Sequence, residues 1–147
     1  MSSRTAQTRT SQGCAIRSAA CASLPRATAC TAKRILGDIG NAALLVVAIH
    51  FYRADNTFAD LEGARTRYLQ FCDAHPGRPR ERDELIRQAR GDRLFPGEGA
   101  LDLRGLLAAT PPGLPLSVEV PVAPKLEPLE RARRALQATK KVLGSWR

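Results

Sequence analysis

The chain is apolar without a break from Ala43 to Ile49, with β-branched residues near the middle of the run. A strand covered on both faces reads this way, so Ala43–Phe51 is expected to form a buried parallel strand. Just before it, Ala32–Asn41 has the look of a helix end stopped by Gly40-Asn41. After it, Asn56-Thr57 offers capping side chains to a short helix running through Leu61. Tyr68–Asp73 (YLQFCD) gives a second strand pattern. The loop from His75 to Arg80 (HPGRPR) then leads to a helix over about 81–90 with Leu85, Ile86 and Ala89 on one face.

Beyond Phe95–Ala100 (FPGEGA), a short helix opens at Asp102 and brings Leu103, Leu106 and Leu107 together, until Pro111-Pro112-Gly113 breaks it. Leu116–Val120 (LSVEV) is the third strand. The last helix, about 127–143, places Leu129, Ala132, Leu136 and Leu143 on one stripe with Arg131, Arg134 and Lys141 outside it. Strands alternating with helices imply parallel pairing through right-handed crossovers, hence an α/β fold. Such folds build their sites beyond the carboxyl ends of the strands. Here those ends carry His50 to Arg53, Asp73 and Glu119.

Residues 1–30 show no such period. They are rich in Ser, Thr and Ala, and residues 1–37 hold six of the 23 bases and none of the 14 acids. A segment of this kind cannot bury enough apolar surface to offset its ordering entropy, so 1–30 is expected to be a disordered basic tail ahead of a folded unit over 31–147. Its Arg- and Ser-rich, acid-poor make-up is shared with transit peptides, but it lacks the apolar core of a secretory signal. The net charge of +9 invites a nucleic-acid reading. Spaced single charges and only 5% aromatic residues weaken it, since single-stranded nucleic acid is gripped by stacked rings. The apolar run at 43–49 is far short of the roughly 18 residues of a membrane span, so no membrane partner is expected. Cys14, Cys21, Cys30 and Cys72 form no C-x-x-C pair, and reduced thiols in a cytoplasmic protein are the plain reading.

The segments LLVVAIHFYR (44–53), YLQFCDA (68–74), RLFPGEGALDLRGLL (93–107), LPLSVEVP (114–121) and ERARRAL (130–136) together resemble the C-terminal part of the xylose-isomerase-like TIM-barrel family, the sugar and sugar-phosphate isomerases and epimerases. The resemblance spans about residues 30–147 and implies an incomplete TIM barrel, the last three of eight parallel strands with their helices. It also implies a divalent metal, Mn or Mg with Co or Zn as alternatives, that polarises a sugar carbonyl while a carboxylate moves a proton. Glu119, in SVEVP, falls on the family's last-strand Glu, a metal ligand and the catalytic proton-transfer group. His50 falls on the His of a D-x-x-H motif that orients substrate hydroxyls, but the Asp of that motif is here Val47. Gln70 stands where many members place a ligand His, so its amide oxygen is the second metal-ligand candidate.

Two further substrate-binding candidates come from the residues themselves. Glu98 projects from the turn between Gly97 and Gly99, and Arg53 is placed to meet an anionic group. Each has a plainer reading, the glycines serving positive φ and the arginine merely solvated. Asp73 and Asp102 likewise read as a turn cap and a helix N-cap. The expected function is that of a sugar phosphate isomerase/epimerase-like protein acting on a small sugar or sugar phosphate. As this chain it is expected to be weakly active or inactive, because Val47 removes a ligand and about 110 residues cannot close a barrel that takes about 250. The alternatives are a non-catalytic remnant, a half barrel that needs a partner, and, least favoured, a basic nucleic-acid-binding module. Open strand edges predict self-association.

Overall fold

The computed structural model describes residues 39–121 and 126–144; the expected basic tail (1–30) and most of the helix end at 32–41 lie outside the described residues. Three parallel strands, β1 (Leu44–Val47), β2 (Thr66–Phe71) and β3 (Leu116–Val118), lie in the order β1-β2-β3. Helix α1 (Ala48–Arg53) and a 3-10 helix (Phe58–Leu61) connect β1 to β2. Helices α2 (Arg82–Gly91) and α3 (Leu103–Ala108) connect β2 to β3, and α4 (Pro128–Gly144) follows. Among the described residues no helix is long and apolar enough to cross a membrane.

The first strand is shorter than its apolar run. It ends at Val47, and Ala48–Arg53 turns at once into α1, burying Ala48, Ile49 and Phe51. An unbroken apolar run is equally suited to a buried strand and a buried helix turn, and packing decides between them. His50 therefore sits on a helix, not at a strand tip. Thr57 opens the 3-10 helix as expected, its backbone N–H donating to Asp60 Oδ2 at 2.7 Å.

Register places Val46, Leu69 and Leu116 on one face of the sheet, and Leu69 and Phe71 are buried there with Leu103, Leu106 and Leu107 of α3 in one apolar core. Asp102 caps α3 by accepting from Gly105 N at 2.8 Å, and a methyl on Gly105 would run into the Phe58 ring. Helix α4 corrects the sequence expectation. It buries Ala135, Thr139 and Val142, leaving Leu129 and Leu136 62% and 54% exposed. The smaller face wins because the contact is close: a methyl on Gly97 would lie 3.2 Å from Val142 Cγ2. On the sheet's other face Leu45 and Tyr68 are register partners and both exposed. Among the described residues, β1 and β3 each pair with β2 alone, so both edges of this incomplete α/β barrel are open.

Candidate functional site at the strand ends

Parallel register puts Val47, Gln70 and Ser117 in one row across the sheet. Side chains alternate along a strand, so Glu119 lies on the same face as Ser117, one step beyond β3. Its backbone N–H still donates to Phe71 O at 2.9 Å, which holds it at the tip of the sheet. The expected ligand Asp would have stood in this row, and Val47 gives it a hydrocarbon instead. Gln70 is half-buried, and the Ser117 hydroxyl is buried without a hydrogen-bond partner.

Glu119 is not alone at the tip. Arg93, its side chain only 6% exposed, donates from Nη1 to Glu119 Oε2 at 2.5 Å. Arg93 is fixed from behind by a bond from Nε to Ala89 O at 2.8 Å and by its backbone N–H on Pro121 O at 3.2 Å. Its Nη1 also lies 4.0 Å from the Cys72 sulfur. Burial pushes the Cys72 thiol up despite that guanidinium. Burial first, and Arg93 second, hold the His50 imidazole below its ordinary value, with Glu119 pulling the other way. His50 is thus a neutral imidazole at neutral pH, within electrostatic reach of both. Arg93 was missed in the sequence, where it reads as one more surface base.

The other candidates go elsewhere. Arg53 spends its donors on the chain itself: Nη1 on Gly77 O, Nη2 on His75 O at 2.8 Å and on Gln88 Oε1 at 2.9 Å. Through these bonds it ties α1 to the 75–77 loop and to α2. Glu98 is exposed and pairs with Arg134 Nη2 at 3.4 Å across a separate groove that Arg104 and Lys141 also line. Asp73 takes the turn-capping role. Fully buried, it accepts from Ala74 N (2.9 Å), Leu101 N (3.0 Å) and Gly97 N (2.9 Å), and its own backbone forms an antiparallel bridge with Leu94. Of the two glycines flanking Glu98, Gly97 has the positive φ of 85°. Gly99 is required by space, since a Cβ there would strike Ala74 O and the Asp73 carboxylate.

A divalent cation of the kind the resemblance implies needs several charged or imidazole donors converging on one point. Among the described residues no three His, Cys, Asp or Glu side chains come together in that way. At the strand tips the one carboxylate is engaged by Arg93, beside a neutral amide and a valine. The residues described there do not fit a divalent cation.

Neither a protein-family model nor a curated protein sequence matches the chain. Solved structures do match in shape, among them the following two. The IolI protein, solved with a bound zinc atom, superposes with a TM-score of 0.66 at 22% identity, over 79% of this chain and 43% of that one. A xylose isomerase domain protein from Alicyclobacillus acidocaldarius subsp. acidocaldarius gives 0.54 at 26% identity, over 78% and 41%. The chain therefore spans less than half the length of these structural neighbours. With three parallel strands in sequential order and helices packed on one face, its fold is that of part of a xylose-isomerase-like α/β barrel.

Proposed function

We propose that the chain is a sugar phosphate isomerase/epimerase-like protein whose strand tips recognise a small sugar or sugar phosphate and which, by itself, turns it over weakly or not at all. One observation supports this reading: the Glu119 carboxylate just beyond β3, within electrostatic reach of His50 on α1, is held by Arg93. A carboxylate whose oxygen already accepts a guanidinium bond at 2.5 Å has that lone pair turned toward the protein and not toward a substrate C–H. What the site retains is recognition. The neutral imidazole of His50 and the amide of Gln70 are donors and acceptors suited to sugar hydroxyls. Mn, Mg, Co and Zn belong to the family resemblance, and no step here is routed through them.

The test is a pair of measurements on the full chain with a panel of aldose and ketose phosphates. Saturation-transfer NMR is expected to show binding that Glu119→Gln and His50→Ala weaken. Proton NMR in deuterated water is expected to show no exchange of substrate C–H. Rapid exchange overturns the inactive half of the reading, and absence of any sugar contact overturns the whole. A cytoplasmic setting is part of the proposal and suits the unpaired Cys72 thiol.

A further inference from the structure

We propose that at the strand tips of this chain the Arg93–Glu119 ion pair takes the place of a bound divalent cation, so that the positive charge of the site is a fixed part of the polypeptide. The inference deepens the reading above and rests on it only for the choice of Glu119 as the carboxylate to examine.

Three observations carry it. The first is the donor set. Along the row Val47–Gln70–Ser117 and one step beyond it, Glu119 supplies the only anionic oxygen, and a hard cation is not held by one carboxylate and one amide. The second is burial. Arg93 is 6% exposed at its side chain whereas Glu119 is 47% exposed, so the guanidinium is the member that cannot do without its partner. A buried cation stripped of its counter-charge is strongly unfavourable, and Glu119 is the acid that Arg93 pairs with. The third is anchoring. Nε on Ala89 O and the backbone N–H on Pro121 O fix Arg93 on both sides of its attachment to the chain. Swinging it aside to admit a metal would break the Nε bond as well as the ion pair. A dication beside Glu119 would also sit next to a guanidinium of like charge.

The experiment uses the full chain and Mn2+, chosen because it prefers oxygen donors to the thiols this sequence carries. Calorimetric titration is expected to show no saturable binding up to millimolar ion, with Glu119→Gln indistinguishable from the parent. Saturable binding that survives Glu119→Gln lies elsewhere and also supports the proposal. Micromolar binding that Glu119→Gln weakens tenfold or more overturns it. A second measurement follows the pair itself by thermal melting of Glu119→Gln, Arg93→Met and the double variant. Arg93→Met is expected to cost less in the Glu119→Gln background than in the parent; strictly additive losses overturn the pairing. Should Arg93→Met not fold, the Mn2+ arm decides alone. Loss of sugar binding with the pair intact would sink the functional reading only, and Glu119-dependent Mn2+ binding with sugar binding intact would sink this inference only.

Discussion

Asp73 shows how one buried carboxylate organises the region that carries the candidate site. Three backbone N–H groups, from Ala74, Gly97 and Leu101, converge on its two oxygens. Leaving buried donors unpaired is costly, so Asp73→Ala is expected to destabilise the fold by about 3 kcal/mol or more, measured by urea unfolding. Asp73→Asn is expected to fall between, since its amide keeps one acceptor but turns a donor on one of the N–H groups. Tyr52 makes a second residue-scale point. Its hydroxyl donates to Asp102 O at 2.7 Å, and burial, then Asp102, then Asp73, raise its pKa from 10.0 to about 12. A phenol whose folded value lies above its unfolded one contributes stability in full below pH 10, and loses it as pH climbs toward 12. Melting temperature is therefore expected to fall over that window in the parent and to be flatter in Tyr52→Phe. Absorbance of the tyrosinate should appear about two pH units late for this ring.

At the scale of elements, α4 decides which sequence signals can be trusted. Periodicity put Leu129, Ala132, Leu136 and Leu143 on one stripe, but the helix buries Ala135, Thr139 and Val142, and of the stripe Leu143 is the member that packs, partly buried, against the core. Thr139 is accommodated because its hydroxyl donates to Ala135 O at 2.7 Å within the helix. Val142→Ala is expected to cost about 1–2 kcal/mol by denaturant melts, and Leu136→Ala, exposed, under about 0.5 kcal/mol. The reverse order would restore the leucine stripe as the packed face. The same contrast explains what the sequence could and could not tell. Strands 66–71 and 116–118, the caps at Thr57 and Asp102 and the leucines of α3 were legible because each is written in local pattern. The α1 turn and the buried face of α4 were not, because tertiary contacts chose between local options of similar quality. At the candidate site, Glu119 and His50 were nominated through the resemblance, and the structure brings the two within electrostatic reach of each other. Arg93 was not, since nothing local distinguishes a buried arginine from the exposed ones around it. The partners of Arg53 were hidden for the same reason: its acceptors are backbone carbonyls 22 and 24 residues away and the Gln88 side chain 35 residues away, invisible to any local reading.

For the molecule as a whole, the balance lies between a well-filled helix-side core and an uncovered sheet. Leu69, Phe71 and Leu106 are fully buried on one side, while Leu45 and Tyr68, side by side on the other, are 52% and 38% exposed. Among the described residues the outer edges of β1 and β3 are unpaired as well, and parallel sheets are rarely stable with one face bare. A chain with this surface lowers its free energy by covering it. A second copy is always at hand to do so, whereas any other partner must be encountered. Sedimentation equilibrium is therefore expected to show mass rising with concentration. Leu45→Lys on the exposed face is expected to shift the chain toward monomer, with little loss of the helix-side core, because that leucine is 52% exposed on the face opposite Leu69 and Phe71. A cooperatively melting monomer at every concentration tested would mean that three strands and one packed face suffice by themselves. The open edges would then be a tolerated feature of the fold and would not act as an adhesive one.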